Sequence, residues 1–146
     1  PSDEQEQEIV RRTTVHGLPT LKPVVTAEEV RKAQEMVIAA PVTDHVIDYA
    51  VSLARATRPQ RAEAIEQTRD YVEWGAGPRA SQCLVLGAKA VALLRGSLTA
   101  EIEDVRTVAI AVLQHRIVTN YRATGSGVDA HKVAQAVLES VPEKAY

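Results

Sequence analysis

Residues 78–94 constrain this chain more than any other stretch. Pro78 opens the segment, Gly96 stands two residues past its end, and between Ala80 and Leu94 only Ser81, Gln82 and Lys89 are polar. Proline is tolerated in the first turn of a helix, where its missing amide hydrogen would have no intrahelical acceptor. Glycine just past the last turn supplies the positive φ that ends one. The spacing therefore predicts a helix over 78–94 that lacks the polar half of an ordinary surface helix. Such a helix belongs at the centre of a domain, with Leu84 and Val91 in its core. Gly87, Ala80, Ala88, Ala90 and Ala92 would let neighbouring helices approach closely.

Amphipathic stretches flank it on both sides. Ser2-Asp3-Glu4-Gln5 and Thr26-Ala27-Glu28-Glu29 have the form of capping boxes, in which hydroxyl and carboxylate or amide satisfy each other's backbone amides. The first leads into a short helix with Ile9 and Val10 on one side. The second leads into a helix with Val30, Ala33, Val37 and Ala40 on one face, ended by Pro41. Between them His16, Gly17, Pro19 and Pro23 predict irregular chain. Thr43 is placed to cap a helix carrying Val46, Ile47, Ala50, Leu53 and Ala54. Residues 59–74 are charged and weakly periodic, an elaborated loop with a turn or two of helix over 62–69. Leu98 to Ala100 reads as briefly extended. Ile102, Val105, Val108, Ala109, Val112 and Leu113 then form a core face, closed by His115-Arg116-Ile117. Residues 121–127, with two glycines, read as a hinge-like loop. Asp129 caps a last helix bearing Ala130, Val133, Ala134, Val137, Leu138 and Val141. There is no internal repeat, and a single all-α domain over 1–146, a small orthogonal helical bundle, is the fold expected.

Composition narrows the function. Aromatic residues are only 3% of the chain against 45% hydrophobic overall, so the core is built from Ala, Val, Leu and Ile, which suits closely packed helices. A net charge of −2 gives no electrostatic reason to expect nucleic acid or a membrane surface as partner. No long charge-free apolar run could span a bilayer. A single cysteine, Cys83, cannot form an internal disulfide and reads as a small core hydrophobe. The opening Pro1-Ser2-Asp3-Glu4 has no signal-peptide pattern, so a cytoplasmic location is expected. A native chain starts with Met, so Pro1 implies processing or a fragment.

Most signals for chemistry fall away on inspection. His16, His45, His115 and His131 are scattered without ligand spacing, so no metal site is expected. Gly75/Gly77 and Gly125/Gly127 complete neither a dinucleotide fingerprint nor a phosphate loop. Arg55, Arg58, Arg61 and Arg69 are interleaved with glutamates rather than aromatics, which argues against nucleic acid. Arg79 is different. It follows Pro78 in the first turn of the central helix, where the helix dipole disfavours a cation. A bound anion such as phosphate, shared with the first-turn amides, would reverse that penalty. A salt bridge to a carboxylate of the same domain is the structural alternative.

Four blocks in this order resemble the C-terminal lid domain of MoxR-type AAA+ ATPases. They are Trp74-Gly75-Ala76-Gly77-Pro78-Arg79-Ala80-Ser81, the alanine-rich helix ending Ala92-Leu93-Leu94-Arg95-Gly96, Glu103-Asp104-Val105-Arg106, and Val112-Leu113-Gln114-His115-Arg116-Ile117. The resemblance extends from Pro1-Ser2, similar to the tyrosine-proline-serine opening of that segment, through the last helix. It implies the AAA+ lid type of helical bundle. It places Arg79 at the sensor 2 position, whose guanidinium approaches the β/γ-phosphates of ATP, with Gly75, Gly77 and Pro78 as the turn that presents it. His115 and Arg116 match a motif expected to serve helix packing or domain contacts.

The resemblance implies more about the full-length protein. ATP and Mg2+ would be its cofactors, held by an upstream α/β core carrying the Walker A and B motifs, sensor 1 and the arginine finger. ATP hydrolysis in a homo-oligomeric, hexameric ring would drive remodelling or maturation of a partner complex, with a von Willebrand factor A-type protein as a partner. Residues 1–146 alone would be catalytically silent. Two departures stand out: Gln114 where arginine is usual, and Ala100-Glu101 in place of valine-serine, which predicts a less well capped helix. The alternative reading is a nucleotide-independent helical protein-interaction domain; a helical nucleic-acid-binding domain ranks behind both.

Overall fold

The computed structural model describes residues 1–14 and 20–143. His16, Gly17 and Pro19 of the expected irregular segment lie outside the described residues, whereas residues 20–25 are irregular as expected. The chain divides into two compact units, Pro1–Lys32 and Ala33–Tyr146.

The first unit holds α1 (Asp3–Thr14) and the start of α2 (Ala27–Ala39). Both predicted capping boxes form. The Ser2 hydroxyl accepts from Gln5 N at 3.3 Å while Gln5 Oε1 accepts from Ser2 N at 2.9 Å. Glu29 accepts from Thr26 N at 2.7 Å, and its amide donates to the Thr26 hydroxyl at 3.2 Å. The hydrogen bond from the Thr26 backbone holds the Glu29 carboxyl below its ordinary range. Neither helix buries a residue. On the face expected for α2, Val30 is 45% exposed and Ala33 exposed, Val37 is half-buried, and only Ala40, just past the helix end, is buried. Periodicity identifies an apolar stripe; it carries no information about what covers it.

The second unit contains the core. After α2 come α3 (Asp44–Ala56), α4 (Glu66–Tyr71), β1 (Val72–Trp74), α5 (Pro78–Leu94), α6 (Ile102–Leu113), a 3-10 turn at Gln114–Arg116, β2 (Val118–Thr119), α7 (Tyr121–Gly125) and α8 (Ala130–Ser140). α5 packs chiefly on α6 and α3, and α6 in turn on α8. The helical fold is as expected, and α5 occupies the predicted middle. Its burial is narrower than the sequence suggested: Ala80, Leu84, Ala88 and Ala92 form one fully buried i, i+4 stripe, while Val91 is half-buried and Leu94 is 89% exposed. Gly87 does allow close approach, since a β-carbon there would lie 3.1 Å from a methyl of Val108 on α6.

Helix ends follow local chemistry. α5 closes with Gly96 at φ +84°, Ser97 N donating to Ala92 O at 2.9 Å and Gly96 N to Leu93 O at 3.0 Å, the double bond pattern of a Schellman cap. Asp129 caps α8 by accepting from Lys132 N at 2.8 Å. Thr43 holds the N-cap position of α3, but its hydroxyl makes no capping bond; Asp44 supplies the favourable charge of the first turn instead. The expectation of a poorly capped α6 is overturned. Glu101 and Asp104 form a complete capping box, with Asp104 Oδ2 accepting from Glu101 N at 2.9 Å. Carboxylates thus take the place expected of a serine hydroxyl. Asp104 also receives Arg95 Nη2 at 2.9 Å, a hydrogen bond that raises the Arg95 guanidinium above its ordinary value.

Residues 59–74 and 121–127 are more ordered than expected. β1 pairs antiparallel with β2, Val72 opposite Thr119 and Trp74 opposite Val118, with an irregularity between the two pairs. Strands of three and two residues show no alternation that a sequence pattern could reveal. Asn120 locks the junction: its amide donates to Tyr71 O at 2.9 Å, its side chain donates to Asp70 O at 2.8 Å, and its side-chain oxygen accepts from Ala123 N at 3.1 Å to start α7. The hinge-like loop is therefore a short helix with Ala123 buried, followed by Gly127 at φ +64°. Leu98 to Ala100 ends in an isolated parallel bridge from Ala100 to Val42. α6 is tied to α3 by Arg106 Nη1, which donates to the Tyr49 hydroxyl at 2.8 Å. Burial pushes the Tyr49 phenol up, and the Arg106 hydrogen bond partly opposes it.

Candidate functional site

The site begins at the C-terminal end of α3. Thr57 is fully buried, and its hydroxyl donates to Ala54 O at 2.7 Å while accepting from Ala76 N at 2.9 Å. Arg58 Nε donates to Ala76 O at 2.7 Å. Both backbone polar groups of Ala76 are thus tied to consecutive residues of another segment. Ala76 itself sits in the hydrophobic core. Its neighbour Gly75 presses against the Thr57 carbonyl, where no β-carbon could be accommodated. This is the close approach of a chain segment that a glycine in this turn permits.

Gly77 serves differently. Nothing lies within 4 Å of where its β-carbon would be, and its extended φ of −80° is open to any residue. It holds the N-cap position of α5 and so contributes no side chain to cap it. Pro78 follows in the first turn as predicted, and Ala80 N donates to Gly77 O at 2.9 Å. No acidic residue lies in that turn. Arg79 stands exposed there, and among the described residues it makes no ion pair or side-chain hydrogen bond, so the salt bridge of the structural alternative has no partner among them. Beside the turn opens a cleft of about 420 Å³ lined by Arg58, Gln60, Arg61, Glu73, Trp74 and Gly75.

The structure separates the arginines that the sequence ran together. Arg55 pairs with Glu63 at 2.7 Å, and Arg69 donates to Ala62 O at 3.4 Å. Arg58 hydrogen-bonds the turn before Arg79, and Arg61 lines the cleft beside it. Sequence reasoning missed both Arg58 and Thr57 here, since nothing in the pattern links them to a turn eighteen residues on. Cys83 is half-buried rather than a core residue, and Arg116 Nη2 donates to its sulfur at 3.3 Å. Arg116 also donates to Val112 O at 2.6 Å and contacts His115 Nε2, so this pair braces the end of α6 against α5. Gln114 Oε1 lies 3.1 Å from His131 Nδ1 on α8, giving the unusual glutamine a local partner. Among the described residues no three His, Cys, Asp or Glu side chains cluster as a metal site. Among the described residues, the arrangement offers an anion the guanidinium of Arg79, which makes no ion pair or side-chain hydrogen bond at the start of α5.

The profile of the AAA lid domain family matches residues 64–139. The chain is 32% identical over 141 residues to the chaperone MoxR1 of Mycobacterium tuberculosis, covering 97% of this chain and 37% of that protein. It is 25% identical over 142 residues to YeaC of Bacillus subtilis, a protein described as uncharacterised, covering 42% of it. A crystal structure from Cytophaga hutchinsonii that carries an ATPase assignment superposes with a TM-score of 0.80 at 26% identity, over 99% of this chain and 44% of that one. With this agreement of sequence and fold, the chain belongs to the AAA lid domain family, as the lid of a MoxR-type AAA+ protein. It spans about two fifths of the length of the curated relatives it matches. Among the described residues no helix is long and apolar enough to cross a membrane.

Proposed function

We propose that Arg79 is the sensor 2 arginine of a MoxR-type ATPase, and that this lid couples ATP hydrolysis to remodelling or maturation of a partner complex. The observation that carries the reading is the contrast at the start of α5: a turn locked from behind by Thr57 and Arg58, and in front of it an exposed arginine with no partner among the described residues. Placing a cation at a helix N-terminus costs about 0.3–1 kcal/mol. A phosphate received between the guanidinium and the first-turn amides turns that cost into a charge-assisted contact. A β-carbon on Gly77 would meet nothing within 4 Å, and Pro78 occupies the first turn.

In this reading an α/β core outside these residues binds ATP and Mg2+ and supplies the groups that cleave the phosphate. The lid supplies Arg79 and its angle to that core. The full protein works as a homo-oligomeric, hexameric ring in the cytoplasm, with a von Willebrand factor A-type protein among its partners. Residues 1–146 alone do not hydrolyse ATP.

The test is Arg79→Ala in the full-length protein. Loss of a contact made where charge develops should lower turnover by about tenfold or more, with the lid's unfolding midpoint unchanged. Turnover and nucleotide affinity equal to wild type would overturn the assignment. So would submicromolar binding of magnesium-ATP by residues 1–146 alone in a calorimetric titration, which would require a self-contained site.

A further inference from the structure

Arg79 is held from both sides: Ala80, next to it in α5, is fully buried, and the turn before α5 is tied to the end of α3. No side chain caps α5, Pro78 cannot donate, and a β-carbon on Gly77 would meet nothing within 4 Å. The last firmly held residue before the helix is Ala76. Its N–H goes to the Thr57 hydroxyl at 2.9 Å and its C=O to Arg58 Nε at 2.7 Å. The Thr57 hydroxyl is itself oriented, since its proton is committed to Ala54 O at 2.7 Å and a lone pair therefore faces Ala76. Gly75 lets this clasp close by lying directly on the Thr57 carbonyl.

We infer that Thr57, together with Arg58, is a positioning residue for Arg79, a buried clasp that makes the end of α3 and the start of α5 move as one piece and so fixes where the guanidinium points. The inference rests on the sensor reading of Arg79. Its physical basis is that a charged contact to a reacting group is steeply sensitive to placement, with a shift of about 1 Å able to cost up to 10²-fold. Thr57→Val keeps the volume of the side chain and removes both hydrogen bonds; Thr57→Ser keeps both and removes only a methyl group.

The experiment is a double-mutant cycle in the full-length protein, with ATP turnover per folded ring and hydrogen exchange of the Ala76 amide measured on every variant. Thr57→Val should lower turnover about tenfold when Arg79 is present and change it less than about twofold in the Arg79→Ala background, because a positioning residue has nothing left to position. Thr57→Ser should stay within about twofold of wild type. The Ala76 amide should exchange faster in Thr57→Val in both backgrounds. Equal losses in the two backgrounds would mean general destabilisation and overturn the inference, as would an unchanged turnover with Arg79 present. An Ala76 amide still protected in Thr57→Val would overturn the clasp itself, whatever Arg79 does. If Arg79→Ala is silent while the Ala76 amide is exposed by Thr57→Val, the sensor reading fails and the positioning role falls with it. Should Thr57→Val not assemble, Arg58→Met removes the donor to Ala76 O while keeping an unbranched stem, and leaves the buried hydroxyl in place. Carried through the same cycle, it should lower turnover only when Arg79 is present, and equal losses in both backgrounds would overturn the inference.

Discussion

A β-carbon on Gly75 would sit 2.2 Å from the carbonyl oxygen of Thr57 and 2.6 Å from its carbonyl carbon. Neither atom can move without shifting the backbone at the end of α3. Gly75→Ala should therefore cost about 3 kcal/mol, at the upper end for overpacking a filled site. Gly77→Ala, two residues away and in open space, should cost less than about 1 kcal/mol, the small difference expected between these residues at an N-cap. Urea unfolding of the two variants checks the contrast, and equal losses would mean that the turn is not pinned at Thr57.

The core has an equally sharp internal comparison. Leu84 is fully buried on the stripe of α5 that packs into the domain, whereas Val91 is half-buried. Leu84→Ala should cost about 2–5 kcal/mol, and Leu84→Asp should prevent folding, because an unpaired charge there has no partner or water. Val91→Asp should fold with a lowered midpoint. Circular dichroism melts of the three variants distinguish this single stripe from the all-round burial that the sequence suggested.

That difference shows where sequence reading reaches its limit. Pro78 and Gly96 set the ends of α5 by their own backbone restrictions, so both were legible. The same holds for the boxes at Ser2 and Thr26 and for Asp129, whose partners lie three residues away. Arg79 stood out because its neighbours in sequence explain its setting. The clasp on Ala76 was invisible because its partners lie eighteen and nineteen residues earlier and are ordinary residue types. The exposed apolar faces of α1 and α2 were legible as stripes, yet burial depends on a partner surface that periodicity does not name.

Thr68 is fully buried, and among the described residues its hydroxyl has no hydrogen-bond partner. Thr57 makes two such bonds from an equally buried position. The same substitution should thus have opposite signs at the two sites. Thr68→Val removes an unsatisfied polar atom at constant volume and should stabilise the lid by up to about 1 kcal/mol, whereas Thr57→Val strands the Ala76 amide and should cost about 1–3 kcal/mol. Parallel denaturant titrations read both, and a loss at Thr68 would show that its hydroxyl has a partner.

Asp104 joins two helices through one carboxylate. Its Oδ2 accepts from Glu101 N and from Arg95 Nη2, both at 2.9 Å, and its side chain is only 4% exposed. Asp104→Ala should cost about 1–3 kcal/mol by leaving the α6 cap amide unsatisfied. Glu101→Ala should cost less: it loses the bond its side chain accepts from the Asp104 amide, but that side chain is 63% exposed and its contact to Arg95 is longer, at 3.4 Å. Thermal unfolding of both variants would expose an error if Glu101 proved the more important.

Arg79→Lys separates charge from shape at the proposed phosphate contact. Lysine keeps a positive charge at the start of α5, so any effect of net charge on lid docking is retained. It loses the planar fork that lets a guanidinium bind two oxygens at once, and its compact ammonium is more strongly hydrated. Fold stability should not distinguish the two, because Arg79 is exposed and has no partner among the described residues whose loss would register. Turnover by the full-length protein should therefore fall in the order wild type, Arg79→Lys, Arg79→Ala, with the lysine variant recovering only part of the loss. Steady-state ATPase assays at matched ring concentration, with melts of each lid as control, read the order. A lysine variant equal to wild type would mean that Arg79 acts through charge alone. A lysine variant no better than alanine would mean that the two-pronged geometry carries the whole contact.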